Sequence, residues 1–87
     1  MHTSKHGRST HWTIRSAADL GRAIAGVRAK RGLTQQRLAE QAGVERSYLA
    51  RIEAGASTLA LERALRMLRR MGATVTVTAP EDDGASD

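Results

Sequence analysis

Four residues within six positions, Arg46, Ser47, Ala50 and Arg51, carry side chains suited to reading a polar surface. At about 100° per residue they share one side of a helix, opposite Tyr48, Leu49 and Ile52. Arginine presents a fork of two donors that matches the O6 and N7 acceptors of guanine. Serine can donate or accept, and alanine can touch a thymine methyl while letting a helix come close. A helix that only had to pack needs no such face. The chemistry it fits is non-covalent: hydrogen bonding to base edges in a DNA major groove. Plain solvation of a charged helix face accounts for the same residues, and the types alone do not separate the two.

What must position that face is the stretch Leu33 to Gly55, LTQQRLAEQAGVERSYLARIEAG. Thr34 is the expected N-cap of a helix over about Gln35 to Ala42, with Leu38, Ala39 and Ala42 on one side. Gly43 can adopt the left-handed conformation that ends a helix, and Val44 leads into a second helix over about Glu45 to Ala54. Two short helices around a glycine turn, the second with a polar face, form a helix-turn-helix pattern in which the second helix enters the groove. Gln35 and Gln36 open the first helix. Gln35, with that helix N-terminus, is expected to anchor a phosphate. Gln36 and Tyr48 complete the expected set of DNA-contacting residues.

Thr34-Gln35, Leu38-Ala39, Ala42-Gly43-Val44, Tyr48-Leu49, Ile52-Glu53 and Gly55 resemble the helix-turn-helix of the Cro and phage-repressor (Xre) family. The likeness covers Leu33 to Gly55 closely and residues 16 to 71 more loosely. It implies an all-α, compact four- to five-helix lambda-repressor-like domain. It also implies a structural ion pair between Arg28 and Glu53 that orients the second helix, in keeping with a partly buried carboxylate's need for a partner. Two departures stand out. Glu45 sits where such proteins often have Ser or Thr, and near phosphates it should point away or pair with Arg46. Arg37 replaces a residue that is often Glu or another polar type.

The 87 residues suffice for one domain, near the lower size at which one core stabilises itself, so a second copy is expected to help. Residues 1 to 80 hold all fourteen Lys and Arg but only five of nine Asp and Glu, a net of +9, which attracts polyanions. With no Cys there is no disulfide framework and no thiolate site. There is also no Gly-rich phosphate loop and no catalytic His–carboxylate spacing, so no enzyme is expected and no cofactor. His2, His6 and His11 lack the further ligands that a metal site needs. No apolar run is long enough for a membrane span, and the start is polar, so a cytoplasmic, nucleoid-associated protein is expected.

Residues 1–15 are expected to be a flexible basic arm, with Trp12 and Ile14 docking on the bundle. The DNA-binding domain covers 16–72. Ser16 to Asp19 starts its first helix, whose apolar stripe is Leu20, Ala23, Ile24 and Val27. Ser57 or Thr58 starts its last, over about Leu59 to Met71, with Leu61, Ala64, Leu65 and Leu68 as core stripe and Arg63, Arg66 and Arg70 almost opposite. That arginine row could face DNA, a partner or water. Residues 73–80, ATVTVTAP, alternate as a strand does. Nothing else in the chain reads as a strand, so antiparallel pairing with a second copy is expected, with Val75 and Val77 in the dimer contact. Residues 81–87, EDDGASD, form a disordered acidic tail.

A small Xre-type domain ending in such a strand is similar to the HipB-type antitoxins, the DNA-binding halves of HipA–HipB toxin–antitoxin modules. That resemblance, architectural and motif-level, implies a homodimer on an inverted-repeat operator of double-stranded DNA, repression of its own operon, and a kinase-like toxin protein as partner. The alternative is a stand-alone phage-type transcriptional regulator with no toxin.

Overall fold

In a computed structural model, which describes residues 9–80, the order of elements is β1 (Ser9–Thr13), α1 (Ala17–Lys30), α2 (Gln35–Ala42), α3 (Arg46–Glu53), α4 (Leu59–Arg70) and β2 (Thr76–Pro80). Each helix boundary has a local cause. The hydroxyls of Ser16, Thr34 and Thr58 accept from the backbone N–H three residues on, at 3.1 to 3.2 Å. The Asp19 carboxylate accepts from the Arg15 N–H at 2.8 Å, a bond that holds its pKa below the ordinary carboxylate range, and it also pairs with Arg22. Between α2 and α3, Gly43 sits at φ 74° and the Val44 N–H returns to the Ala39 carbonyl at 3.0 Å. That positive φ is what turns the chain so sharply there.

The strand over 76–80 does not wait for a second copy. It pairs antiparallel with β1 of the same chain, Ser9 opposite Pro80 and Thr13 opposite Thr76. The expected partner strand is thus intramolecular, and the end of the supposed arm is structured. Five residues with a single aromatic carry too little alternation to announce a strand. The partner that pairs them lies more than 60 residues away. The remainder of the arm, residues 1–8, and the tail, 81–87, lie outside the described residues.

The sheet is fixed to α1 through Trp12. Its indole lies directly on Gly26, where a Cβ would collide with the ring. Ile14, Ala23 and Leu65 form the buried centre, with Trp12, Leu20, Leu61, Val75 and Val77 packed around it. Val75 and Val77, assigned to a dimer contact on sequence, are therefore half-buried on the protein's own core, and the Val75 carbonyl accepts from the Ile14 N–H at 2.8 Å. α4 joins through Leu61 and Leu65, with Leu68 half-buried. Ala64, assigned to the core stripe, is exposed. The Arg69 guanidinium also donates to the Arg15 carbonyl, at 2.5 Å, tying the end of α4 to the corner between β1 and α1.

Because Trp12 couples β1 to α1, Trp12→Ala should lower unfolding free energy by about 2–3 kcal/mol. Urea unfolding followed by circular dichroism measures this. A loss below about 0.5 kcal/mol would show that the sheet is not part of the cooperative unit.

Candidate nucleic-acid interface

The second helix of the turn motif, α3, is anchored by Leu49, which is buried, and Ile52, which is half-buried. Its other residues divide as the wheel requires: Arg46, Ser47 and Arg51 are exposed and Ala50 is half-covered. Tyr48, placed by periodicity on the packed side, is 49% exposed instead. The Arg51 guanidinium lies 5.8 Å from its ring centre, a cation–π arrangement that stiffens both side chains. The described exposed surface of α3 is thus two arginines, a serine, a tyrosine and a small residue, with no carboxylate among them.

α1 holds this helix in place. Gly21 lets α1 press against the end of α3, since a Cβ there would run into the Ile52 carbonyl oxygen. At that same end sits Glu53, whose side chain is 7% exposed. Arg28 meets it with two bonds, Nε to Oε2 at 2.7 Å and Nη2 to Oε1 at 2.9 Å. A third N–H of Arg28 goes to the Leu33 carbonyl at 2.9 Å, so one guanidinium ties α1 to α3 and to the start of α2. The Arg28 bonds hold the Glu53 pKa below its ordinary value against the opposing effect of burial, and Gln35 adds to the lowering.

Gln35 has a place that sequence reasoning did not foresee. Its Nε2 donates to Glu53 Oε1 at 2.9 Å, which commits its amide oxygen to the other side. There it accepts from Arg46 Nη1 at 3.3 Å. Arg28, Glu53, Gln35 and Arg46 therefore form one hydrogen-bonded chain from the interior to the exposed face. The contact Gln35–Arg46 spans 11 positions and two helices, with no sequence period to reveal it. Gln36 is exposed and bonds to Glu40 at 2.9 Å, one turn along α2. Glu45, the N-cap of α3, makes no side-chain cap bond, and Arg46 turns to Gln35 rather than to it.

Among the described residues no group of His, Cys, Asp or Glu could hold a metal ion. His11 lies on the exposed sheet face within hydrogen-bond distance of Ser9 and Thr78. No described helix is long and apolar enough to cross a membrane.

Comparison with known proteins points the same way. A sequence model described as Helix-turn-helix matches residues 24–77. The chain is similar to an uncharacterized HTH-type transcriptional regulator, y4mF, of Sinorhizobium fredii. The two are 33% identical over 67 residues, which span 77% of this chain and 88% of that protein. No solved structure matches the chain.

With its folded pKa depressed, Glu53 contributes stability that is present above its ordinary value near 4.5 and is lost as pH falls through the folded value. Glu53→Gln should cost about 2 kcal/mol at neutral pH and flatten the acid limb of the stability profile. Unfolding titrations across the acid range check both, and an unchanged acid limb in the variant would remove Glu53 as its cause.

Proposed function

The chain belongs to the helix-turn-helix family of DNA-binding transcriptional regulators, and on that premise we propose that it is a sequence-specific repressor acting as a homodimer on an inverted repeat. The observation that carries this reading is the exposed face of α3, on which Gln35 holds Arg46 from behind and Arg51 lies against Tyr48. Arg46, Ser47 and Arg51 read base edges, and Ala50 sets how closely the helix approaches. Gln36, exposed at the N-terminus of α2, lies against a phosphate together with the backbone N–H groups of that helix end, while the Gln35 amide stays on Glu53 and Arg46. Two such helices about 34 Å apart would read successive major grooves on one side of the duplex.

A second reading, that the same protein neutralises a toxin, has support of a different kind. Arg63, Arg66 and Arg70 lie in an exposed row on α4 that pairs with nothing among the described residues, as a surface for an acidic partner would. The pairing of C-terminal strands between two copies, on which the likeness to a HipB-type antitoxin rested, does not support it, since β2 pairs with β1 of the same chain. Repression without a toxin is therefore the leading form of the proposal.

Selection of bound sequences from a random pool, followed by anisotropy titrations, tests the repressor reading. Arg46→Ala and Arg51→Ala should each cost about 1–3 kcal/mol and relax preference at one base position per half-site. A uniform loss on all sequences would reassign that arginine to phosphate, and no enriched sequence at all would end the reading. For the second form, co-expression with the neighbouring gene should relieve growth arrest and yield a complex. A harmless, non-binding neighbour would remove the toxin.

A further inference from the structure

α4 presents more apolar surface than the domain covers. Leu61, Leu65 and Leu68 turn toward the core, but Ala60, Ala64, Met67 and Met71, at intervals of four, three and four, are all exposed. At about 100° per residue these four fall within an arc of about 60° beside the core side, making one apolar band of which half is uncovered. Met67 is 59% exposed and Met71 73%. Such a stripe on α4 is the pattern of a helix–helix contact whose second helix is not among the described residues.

We infer that the second helix is α4 of another copy, packed antiparallel about a two-fold axis between Ala64 and Met67. The inference rests on the homodimer reading above and names its surface. Antiparallel pairing about that axis sets Ala60 against Met71 of the partner and Ala64 against Met67 of the partner. A large side chain then meets a small one at every layer, twice over by symmetry. A parallel pairing would set methionine on methionine and leave the alanine layers hollow. Covering these side chains on both copies removes on the order of 700 Å² from water, which is the size of a weak, reversible contact. The contact fits a chain whose described residues include no large side chain that is fully buried.

Charge distinguishes this occupant from an acidic partner. Arg63 and Arg70 border the stripe, and in the antiparallel pair Arg63 of one copy comes near Arg70 of the other. Self-association is then opposed by like charge and tightens as salt screens it, whereas an acidic helix would bind more weakly in salt.

The absence of cysteine from the chain makes the geometry testable. Ala60→Cys and Met71→Cys alter exposed side chains, so both variants should fold. In the antiparallel dimer the two copies of position 60 lie about 16 Å apart along the axis, as do the two copies of position 71, beyond the roughly 7 Å that a disulfide spans. Mixing the two variants under mild oxidation should therefore give covalent dimers, and neither variant alone should. Met67→Arg should weaken dimerisation at least tenfold in sedimentation equilibrium, and the unaltered chain should associate several-fold more tightly as salt rises from about 0.05 to about 0.5 M. Cross-linking of either single variant with itself, absence of cross-linking in the mixture, or association that weakens with salt would overturn this surface while leaving a homodimer. A chain monomeric at every concentration would overturn the homodimer reading as well.

Discussion

A carboxylate cannot be shut away at the end of a helix without a cation to meet it, and this constraint organises the domain. Glu53 closes α3 with only a small part of its side chain exposed, and Arg28 supplies two donors in the fork geometry that a carboxylate matches. The remaining reach of the same guanidinium goes to the Leu33 carbonyl, where the chain leaves α1 for α2. Three helices thus take their relative positions from one side chain. Gly21 makes it possible by letting α1 lie against the Ile52 and Glu53 carbonyls.

The same pair reaches the exposed face of α3 through Gln35. Glu53 accepts from the Gln35 amide nitrogen, so the amide oxygen must face Arg46, and the arginine finds an acceptor before any ligand arrives. An arginine so held loses less freedom on meeting a base than one waving in solvent. The packed end of α3 and its exposed face are therefore joined by one continuous hydrogen-bonded path.

Around that path the core is shallow. Ile14, Ala23 and Leu65 are its buried centre, and the two-stranded sheet covers part of it by laying Trp12 on Gly26 and turning Val75 and Val77 inward. α4 closes the remainder with one side of its apolar band and leaves the other uncovered. A domain near the lower size limit retains surface of this kind because it has too few residues to cover every apolar face itself.

Much of this was legible beforehand. The α2–Gly43–α3 unit, its Thr34 cap and the polar face of α3 follow from local rules: a hydroxyl before a helix, a residue without a Cβ after it, and a period of 3.6. Those rules act over a few residues, so the chain alone determined the helices and which side of α3 could face a duplex. Tyr48 shows the limit, because a wheel gives direction but not which side a neighbour covers. The Arg28–Glu53 pair was reached through a family resemblance rather than through spacing. What only the tertiary structure decided was pairing at a distance: β2 with β1, Gln35 between Glu53 and Arg46, and Ala64 and Met67 outside the core. Each depends on which surfaces meet when elements far apart in sequence pack, and no local period encodes that.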